Sequence, residues 1–584
     1  MSGKVLVLGG NDRAGLSIIR SLGRVGLDVQ LGSYEQEDVS RYSKYITSFL
    51  ELPQPLLEQQ RFSDIVISVV KKEKIDLLIP VTDAVIVSLQ PRYEEINRLT
   101  RFVCPDDLGF EITFNKRNTL EYSTKFGFDC PRSILVSAQS EKDKIEEFAT
   151  YPLVLKPVTS VIVGKIGRRN VRIVSGPGAA SQTLDEMLVD GPVLVQEYFA
   201  GTGFGISVLV KNGNLKAAFQ HKRLHEPPLG GASSYRVSEP LDPALMTKVV
   251  SMCRAMNWTG PVMFELRTNY VTGATRLIEI NGRFWGSLSL AIFAGVDFPL
   301  LLYKLMVQNR DETQYDYRCP VFARYLPGEL GWMYANFQFK GSGTQYRVKT
   351  WQAIIREYRN VILGRENWDI ASISDPKPML ITFGRMIQTL ANFVLEQVRY
   401  HFAKKRFKKL AVSSQLPNSI GIPQLLNNGL VLFCCLGNIN RSALAAAEFQ
   451  RCTHSIAPDL KVVSVGFVPQ VGRQPSTLAK RIAAKFGVDL EQHRSSVIET
   501  EMVEEADVIV IMDVANLIEL EKLFCGVDLT SRVVPLGAFD GDINVQIRDP
   551  AGEEEDSFTE IFYRVVKCTR NFSLSLKFDQ PGRS

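Results

Sequence analysis

A chain of 584 residues is too long for one hydrophobic core, and its length favours about three or four domains. Hydrophobic residues make up 45% and charged residues 22% of the chain, which is typical of folded globular proteins and excludes extensive disorder. The net charge of +5 is small for this length, and we expect no nucleic-acid partner.

Nine cysteines are scattered along the chain without a repeated spacing or a C-x-x-C pair. This pattern argues against a disulfide framework or a zinc site and favours a reducing compartment. The opening MSGKVLVLGG enters a strand-like run at once, so we expect no secretion signal. No stretch reaches the roughly 18 apolar residues of a membrane span. These features predict a cytoplasmic, multidomain α/β protein.

The first half of the chain alternates strand-like and helical patterns. Residues 4–8 (KVLVL) form a run that is apolar from Val5 onwards and leads through two glycines into a helical pattern over 14–22, which predicts a buried parallel strand, a turn and a helix. Further strand-like runs lie at 76–81, 152–156, 193–196, 206–210 and 276–280. Helical stretches separate these runs up to residue 320, so we predict an α/β fold for this half.

No sequence of the form G-x-x-x-x-G-K-[ST] occurs, which excludes a Walker-type nucleotide site. The run from Gly9 to Gly15 is only weakly similar to a dinucleotide fingerprint, and we assign no nucleotide to it.

Oxygen-bearing side chains lie on two strand-like segments near the end of this half. Glu265 lies in VMFEL, and Glu279 with Asn281 lies in LIEIN. Carboxylate and amide oxygens are ligands that Mg²⁺ takes together with ATP phosphates. Upstream, Lys116 and Lys156 are placed to neutralise phosphate charge. Together these residues predict a magnesium and phosphate site.

The segment VLVQEYF over 193–199 is a strand that runs into a glycine-rich turn, which suits an adenine-binding hinge. In this order the features resemble the ATP-grasp enzymes, specifically the carbamoyl-phosphate-synthetase-like carboxylate–amine ligases, over residues 1–320. The resemblance implies a Rossmann-like pre-ATP-grasp domain at 1–105 and an ATP-grasp domain at 106–320.

The same resemblance implies ATP and Mg²⁺ as cofactors and gives individual residues a role. The residues implied in ATP binding are Lys116 and Lys156 at the phosphates, Gln196, Glu197 and Phe199 at the adenine, and Arg283 at the transferring phosphoryl group. Those implied in metal binding are Glu265, Glu279 and Asn281. Such enzymes phosphorylate a small-molecule carboxylate and pass the acyl phosphate to an amine. The candidate carboxylate site contains His221, Lys222, Arg223 and Arg236.

Residues 321–424 carry aromatic side chains and no clear strand pattern, and we expect a helical extension and a linker. A helical pattern over 378–410 has one apolar face, made of Phe383, Ile387, Leu390, Val394 and Val398. Five basic residues follow within 404–409. Over 383–409 this helix suits an anionic membrane surface. The alternative is a helix docked on the grasp domain with its basic end in solvent. The segment 411–429 is rich in Ser, Pro, Asn and Gly, which indicates a linker.

A new α/β pattern begins at Leu430. The sequence VLFCCLGNINRSALAAAEF over 431–449 predicts a strand, a tight loop and a helix, with Cys435, Arg441 and Ser442 in a C-x5-R-S arrangement. Five intervening residues can wrap N–H groups around a phosphate dianion before a helix N-terminus. Arg441 adds a bidentate donor, and the same field favours the thiolate of Cys435, which can attack phosphorus. Ser442 is placed to stabilise that thiolate as a leaving group.

Breaking a P–O bond also needs an acid, for which Asp549 in an Asp-Pro loop is the candidate. With SVG at 464–466 and ADVIVIMD at 506–513, these motifs resemble the low-molecular-weight protein tyrosine phosphatases over 429–575, in a parallel-sheet domain predicted at 425–584. The resemblance implies Cys435 as nucleophile, Arg441 as phosphate ligand and Asp549 as general acid and then base. The loop residues implied around the phosphate are Leu436, Gly437, Asn438, Ile439 and Asn440, with Asn438 ordering the loop. We expect no cofactor for this domain.

The sequence departs from that family's pattern in three ways. Ala551 and Gly552 follow Asp-Pro where members that act on phosphotyrosine have aromatic residues. Only Phe467 is a candidate ring contact in the loop after SVG, and Asn440 replaces the family's second loop cysteine. The expected substrate is therefore a phosphotyrosine protein or another phosphomonoester.

The whole sequence predicts a bifunctional cytoplasmic protein, in which a carboxylate–amine ligase is joined to a cysteine-dependent phosphatase, with peripheral membrane contact through 383–409. The alternative is a phosphatase regulated by an ATP-grasp module that senses ATP without catalysis.

Overall fold

The computed structural model describes residues 3–9, 13–148, 150–167, 170–227, 232–269, 271–338, 348–415, 429–526, 529, 532–553 and 555–576. The chain divides into two compact units, of which the first is Met1–Ser175 with Thr183–Ile387 and the second is Gly176–Gln182 with Gln388–Ser584.

The first unit opens with a parallel sheet of strand order β3-β2-β1-β4-β5. Its strands are β1 (Lys4–Gly9), β2 (Asp28–Ser33), β3 (Ser48–Glu51), β4 (Leu77–Pro80) and β5 (Arg101–Phe102). Its helices are α1 (Arg13–Arg24), α2 (Gln59–Glu73), α3 (Asp83–Leu89) and α4 (Tyr93–Leu99), with 3₁₀ turns at Val39–Tyr42 and Gln90–Arg92. Apolar side chains cover β1 on both faces, as its continuous apolar run predicted.

A second, antiparallel sheet has the strand order β6-β9-β7-β8. Its strands are β6 (Ser133–Val136), β7 (Leu153–Pro157), β8 (Arg172–Val174) and β9 (Val193–Glu197). The helices in this stretch are α5 (Asp107–Phe114), α6 (Lys116–Thr124), a 3₁₀ helix at Gln139–Glu147, and α7 (Pro177–Leu188).

The third sheet has seven strands in the order β14-β13-β10-β11-β12-β15-β16. Its strands are β10 (Thr202–Lys211), β11 (Asn214–His225), β12 (Tyr235–Glu239), β13 (Gly260–Thr268), β14 (Thr275–Asn281), β15 (Phe322–Arg324) and β16 (Glu366–Trp368). The helices are α8 (Pro243–Ala255), α9 (Leu288–Ala294), α10 (Phe298–Met306), α11 (Leu326–Gln338) and α12 (Trp351–Ile362).

The expectation of no strands after residue 321 is wrong, because β15 pairs with β12 and β16 pairs with β15. Each has three residues, too few to show an alternating pattern, and pairing at the edge of an existing sheet stabilises them. The extension therefore continues the large sheet.

One face of the large sheet packs against the first sheet and helices α9 and α10. Phe219 of β11 and Met263 of β13 share a core with Ile18, Trp285 and Leu302. Since side chains alternate along a strand, the residues at every second position from Phe219 and Met263 lie on this same face. The candidate site described below lies on that face.

Helix α13 (Lys377–Gln415) begins in the first unit and ends in the second. Its first turns contact the first unit, where the Phe383 ring lies 6.2 Å from the Trp368 ring. Its last turns bury Ala403 and Phe407 against β17 and β19 of the second unit, introduced next. Between these ends, Ile387, Leu390, Val394 and Val398 have 46–69% exposure.

The second unit contains a parallel sheet of order β18-β17-β19-β20. Its strands are β17 (Leu430–Cys435), β18 (Lys461–Gly466), β19 (Val508–Ile511) and β20 (Val533–Pro535). Its helices are α14 (Arg441–Thr453), α15 (Thr477–Lys485), α16 (Thr500–Glu505), α17 (Val514–Leu523) and α18 (Glu555–Ser575), with a 3₁₀ turn at Leu536–Phe539. The predicted α/β fold class is confirmed for both halves.

No single helix of the described chain is long and apolar enough to cross a membrane. The bent pair α9 and α10, at 89° to each other, meets the length and composition criteria when the two helices are taken together.

Candidate active sites

The C-x5-R-S segment forms a loop between β17 and α14. Cys435 ends the strand and is 3% exposed, and its Sγ lies 3.0 Å from Ser442 Oγ. The Asn438 backbone N–H donates to the same sulfur at 3.2 Å. Because Arg441 starts α14, the positive end of the helix dipole faces the loop. The loop therefore surrounds the sulfur with donors that favour an anion.

Asn438 holds the loop in its curved form. Its backbone has φ +51°, a left-handed conformation that asparagine tolerates better than most residues. Its side-chain Nδ2 donates to Ser442 Oγ and Ser464 Oγ at 3.0 Å each, while its Oδ1 accepts from the Ser496 N–H at 2.8 Å. The His493 Nε2 lies 2.8 Å from its carbonyl oxygen. The side chain thus ties the loop to three neighbouring segments.

Gly466, at the end of β18, allows this arrangement. A Cβ on Gly466 would lie 3.0 Å from both the Cβ and the backbone nitrogen of Asn438, which is closer than such contacts normally are. The SVG motif therefore ends in glycine because the loop backbone lies against it.

Arg441 is nearly fully buried and bridges two carboxylates. Its Nη1 donates to Asp513 Oδ2 at 2.6 Å and to the Ile547 carbonyl at 2.9 Å, and its Nη2 donates to Asp549 Oδ2 at 2.6 Å. Burial alone would lower the pKa of Arg441, but the two carboxylates outweigh it and raise the pKa above its ordinary value. Its buried Nε has no partner among the described residues. A phosphate oxygen would satisfy that donor.

The remaining loop residues line the opening. Leu436 is 46% exposed, Gly437 and Ile439 are half-buried, and Asn440 is buried. The Asn440 Oδ1 has no hydrogen-bond partner within the described ranges. The Asp549 side chain is 39% exposed, so a leaving group can reach it while the ion pair with Arg441 holds it in place.

One candidate phosphate-binding lysine lies in an interior strand of the second sheet, and the other starts a helix whose first N–H donates to the Val158 carbonyl just after that strand. Lys156 is in β7 and buried, and its burial lowers its pKa to about 8 although nearby Glu279 acts to raise it. Lys116, at the start of α6, donates from Nζ to Ser160 Oγ at 2.7 Å. The charges of Lys116, Glu265 and Glu279 all influence the pKa of Lys156, so the structure brings these four predicted residues close together.

The three candidate metal ligands lie on the adjacent strands β13 and β14. In the register of β13 and β14, Glu265 is opposite Glu279 and Met263 is opposite Asn281. Like charges directly opposite each other repel, so this pair needs cations nearby. Lys156 supplies one cation, and the oxygen donor set suits Mg²⁺. Among the described residues, no group of three or more His, Cys, Asp and Glu side chains is arranged to hold a metal, and the candidate set itself has two carboxylates and one amide.

Glu265 is engaged by an arginine of the neighbouring part of the sheet. Both of its oxygens accept from Arg223, at 2.7 Å each. Burial would raise the pKa of Glu265, but the Arg223 guanidinium outweighs it and lowers the pKa to about 2. The carboxylate is therefore ionised at every physiological pH, as a metal ligand must be.

The candidate adenine residues divide into two groups. Gln196 is buried, and its Nε2 donates to Ser133 Oγ at 2.9 Å. Glu197 accepts from Arg276, whose guanidinium also lies 4.5 Å from the centre of the Phe199 ring. Arg276 thus joins Glu197 and Phe199, and no motif in the sequence indicated it.

Arg283 forms an ion pair with α3, a helix beside the first sheet. Its Nε and Nη2 donate to the two carboxylate oxygens of Asp83 at 2.5 and 3.2 Å. Asp83, at the start of α3, is a residue that sequence reasoning missed, since the pairing spans 200 positions.

The candidate carboxylate site separates into two faces of β11. Lys222 points away from the other members, towards Glu239 at 3.5 Å. Grouping Lys222 with its neighbours is therefore wrong, because adjacent strand residues face opposite sides. His221 is buried, which lowers its pKa to about 3, and its Nε2 lies 3.2 Å from Ser287 Oγ.

Arg236 is paired with a carboxylate from the extension. Its Nη2 donates to both oxygens of Asp369, at 2.6 and 2.7 Å, and Arg13 and Ser289 donate to the same carboxylate at 3.0 and 2.8 Å. Asp369 is fully buried and lies outside every motif of the sequence. The extension therefore contributes a charged residue to this face of the large sheet.

Comparisons with known proteins identify the second unit. Residues 430–581 match the family model described as low molecular weight phosphotyrosine protein phosphatase. The low molecular weight phosphotyrosine protein phosphatase of Sus scrofa is 31% identical over 146 residues, which are 24% of this chain and 92% of that protein. The chain belongs to this family. The Escherichia coli phosphatase Wzb is 27% identical over 156 residues, covering 27% of this chain and 99% of Wzb.

The first unit contains the predicted ATP-grasp module. Residues 190–325 match the family model described as ATP-grasp in the biosynthetic pathway with Ter operon. Among solved structures, an L-amino acid ligase from Bacillus licheniformis has 18% identity and a TM-score of 0.43, covering 52% of this chain and 74% of that chain. The N5-carboxyaminoimidazole synthetase from Staphylococcus aureus has 13% identity and a TM-score of 0.46, covering 61% and 96%.

One residue beside the phosphate loop of the low molecular weight phosphatase domain was not predicted from the sequence. Asp513 follows β19, whose carboxyl end lies beside that of β17, and its Oδ1 accepts from the Asn516 N–H at the start of α17. The signal was present, because the carboxyl ends of neighbouring parallel strands meet at one edge. The Asp-Pro motif is easier to recognise in the sequence, so Asp549 was the only acidic residue predicted at the loop.

Phe467 is half-buried against the core that contains Val465 and Ile498. Its backbone N–H donates to the Leu436 carbonyl oxygen of the phosphate loop at 3.0 Å. The segments 467–473 and 548–553 contain no other aromatic residue.

Proposed function

We propose that the C-terminal domain hydrolyses phosphomonoesters through a phosphocysteine formed at Cys435. The observation that carries this proposal is the Cys435 sulfur within hydrogen-bond reach of the Asn438 N–H and Ser442, in a loop closed by Arg441 and Asp549. The proposed substrate is a phosphotyrosine protein, as the names of the related phosphatases suggest, or another phosphomonoester.

In the first step, the Cys435 thiolate forms an S–P bond while the P–O bond to the leaving group breaks, and Asp549 gives that oxygen its proton. Arg441 turns its donors from carboxylates to phosphate oxygens. In the second step, water attacks phosphorus, Asp549 takes the proton, and the S–P bond breaks with Ser442 stabilising the thiolate. The cycle returns every residue to its starting state.

The hydrolysis of p-nitrophenyl phosphate tests this proposal. Cys435→Ser should lower kcat by more than about a thousandfold, because the hydroxyl is a far weaker nucleophile at neutral pH. Cys525→Ser, which removes an exposed cysteine of the same unit, is the matched control and should keep full activity. Retained activity in Cys435→Ser would sink the assignment.

We further propose that the N-terminal half is an ATP-dependent ligase that joins a small-molecule carboxylate to an amine through an acyl phosphate. Lys116 and Lys156 would hold the ATP phosphates, and Glu265, Glu279 and Asn281 would hold Mg²⁺. When bound, Mg²⁺ neutralises phosphate charge. The support is the cluster in which Lys156 and Lys116 lie with the opposed carboxylates of β13 and β14. We place this activity in domains at 1–105 and 106–320, with the extension at 321–424.

The adenine-binding roles of Gln196, Glu197 and Phe199, and the phosphoryl role of Arg283, remain part of this proposal. Arg283 would have to exchange Asp83 for phosphate, since both oxygens of Asp83 now accept from it. His221 and Arg223 remain the candidates for the carboxylate substrate, because they share the face that carries Glu265.

ADP release from ATP across panels of carboxylates and amines tests the ligase. We expect a carboxylate to stimulate ADP release and Lys156→Met to abolish it. ATP binding without any stimulated release would favour the alternative of a non-catalytic ATP sensor.

We also propose that the middle of α13 contacts an anionic membrane from the cytoplasm. Ile387, Leu390 and Val394 are exposed, and the basic run of 404–409 follows them. Only part of that run is available, because Arg406 pairs with Glu521. Sedimentation with phosphatidylserine vesicles, but not with phosphatidylcholine vesicles, is the expected result. Equal behaviour with both vesicle types would contradict it.

A further inference from the structure

Arg473 lies at the rim of the phosphate loop, where no motif of the sequence placed a functional residue. Its Nη2 donates to the Gly437 carbonyl oxygen at 2.7 Å, and its Nε donates to the Gln470 carbonyl at 3.4 Å. Its backbone N–H donates to Ser495 Oγ at 3.0 Å. Hydrogen bonds of the guanidinium and of the backbone N–H therefore hold Arg473 at the loop.

The acceptor of Arg473 belongs to the peptide group that contacts the nucleophile. The carbonyl oxygen of Gly437 and the N–H of Asn438 are the two ends of one conjugated amide. That N–H donates to Cys435 Sγ at 3.2 Å. A cation bonded to the oxygen of an amide draws electron density from its nitrogen and strengthens the N–H as a donor. Arg473 is thus connected to the sulfur through a single peptide.

The charge of Arg473 is also less balanced than that of its neighbour. Arg441 contacts the carboxylates of Asp513 and Asp549, so its positive charge is largely compensated before phosphate binds. Arg473 forms no ion pair with any acidic residue of the described chain. Arg473 therefore places an uncompensated positive charge at Gly437, which is two residues from Cys435 in the loop. This charge stabilises an anion at the Cys435 sulfur.

Other groups around Cys435 do not duplicate this effect. Ser442 is neutral, Cys434 is a buried thiol whose pKa is raised by burial, and His493 contacts the loop at the Asn438 carbonyl. Asp513 and Asp549 act against an anion at the sulfur.

We propose that Arg473 is a positioning residue of the phosphatase reaction, which orients the Gly437–Asn438 peptide and stabilises the Cys435 thiolate through it. This inference rests on the proposed phosphatase function, but it concerns the ionisation of the free protein and can be measured without turnover.

The test is the rate at which iodoacetamide alkylates Cys435, followed against pH by mass spectrometry of the Cys435 peptide. Only the thiolate reacts, so the midpoint of the rate profile reports its formation. Arg473→Met should move the midpoint upwards by about half a pH unit or more. Arg473→Lys, which keeps a cation and one donor, should move it less. The acidic limb of the kcat/KM profile should move in the same direction in each variant.

Arg481→Met is the matched control, because it removes the same charge from an exposed ion pair with Glu555 in the same unit. Its alkylation midpoint should equal that of the unchanged protein. Equal midpoints in Arg473→Met and the unchanged protein, with or without a loss of activity, would overturn the proposal. If Arg473→Met does not fold, Arg473→Gln and Arg473→Lys decide it, and a midpoint unmoved in both overturns it.

Failure of this inference is distinct from failure of the phosphatase assignment. Retained hydrolysis in Cys435→Ser would remove the assignment whatever the alkylation midpoints are. Full dependence on Cys435 with an unmoved midpoint would leave the phosphatase intact and remove only the role of Arg473.

Discussion

Lys156, proposed to bind the phosphates of ATP, lies in a buried site that disfavours its positive charge. Burial lowers its pKa to about 8, so near this pH half of the free protein has a neutral lysine. A bound triphosphate favours the charged form, so the pKa must rise in the complex. ATP binding near pH 8 should therefore take up protons. The uptake should fall towards zero below pH 7, where Lys156 is already charged, and the affinity should fall as pH rises above 8.

Calorimetric titration with ATP in two buffers of different ionisation enthalpy measures this uptake. In Lys156→Arg the cation is permanent, so binding should persist while the proton uptake near pH 8 disappears. Uptake that is unchanged in Lys156→Arg would assign the proton to another group.

We expect Asp513 to lower the affinity of the phosphatase domain for inorganic phosphate, the product of hydrolysis. Its carboxylate holds Arg441 at 2.6 Å and must repel a phosphate dianion bound in the same loop. Asp513→Asn keeps an oxygen acceptor and the helix-capping position but removes the charge. A carboxylate about 7 Å from a phosphate dianion in a solvated site repels it by about 1 kcal/mol. Without this repulsion, we expect inorganic phosphate to inhibit Asp513→Asn about fivefold more strongly than the unchanged protein.

Competitive inhibition of p-nitrophenyl phosphate hydrolysis measures that affinity. Asp540→Asn removes an equal charge at Arg564, away from the loop, and should leave the inhibition constant unchanged. Weaker inhibition in Asp513→Asn would mean that Asp513 positions Arg441 more than it repels phosphate.

At the scale of elements, α13 illustrates what a pattern predicts and what it cannot. The apolar spacing predicted the helix to within a few residues, as 378–410 against Lys377–Gln415. It could not show which turns are covered. Phe402 and Phe407 are alike in sequence, yet Phe402 is 57% exposed and Phe407 is fully buried against the phosphatase core. Strands β15 and β16 escaped detection for a related reason, since only their partners in the sheet stabilise them.

The contrast between these two phenylalanines predicts unequal effects on stability. Phe407→Ala removes a buried ring and should lower the free energy of unfolding of the second unit by about 3 kcal/mol. Phe402→Ala removes an exposed ring and should change it by less than about 0.5 kcal/mol. Urea denaturation followed by the loss of phosphatase activity measures both. Equal effects would contradict the burial of Phe407.

The sites show the same division between local and distant information. Residues close in sequence, such as Cys435, Arg441 and Ser442, were predicted together because one loop and one helix start fix their geometry. Glu265 and Glu279 were predicted on two neighbouring strands, but their register directly opposite each other came from the structure. The partners Asp83, Asp369 and Asp513 were missed, because each meets its arginine through tertiary packing that no spacing in the sequence encodes.

At the scale of the whole molecule, a substitution at Asp369 tests the two proposed activities separately. Its partners Arg236, Arg13 and Ser289 all lie in the first unit, so its charge bears on that unit alone. Removing one partner of a buried ion pair leaves an uncompensated charge and costs about 3 kcal/mol or more. Asp369→Asn should therefore lower the melting temperature of the first unit, and with it the rate of the ADP release proposed for that unit.

The phosphatase supplies the internal reference for this experiment, since both measurements use one full-length chain. Hydrolysis of p-nitrophenyl phosphate below the first melting transition should be unchanged in Asp369→Asn, because Cys435 and Arg441 lie in the second unit. Asp311→Asn breaks an exposed pair with Lys216 in the first unit and should alter neither activity. A parallel fall of phosphatase activity in Asp369→Asn would mean that the two units are energetically coupled, and the carboxylate of the extension would then act on both active sites.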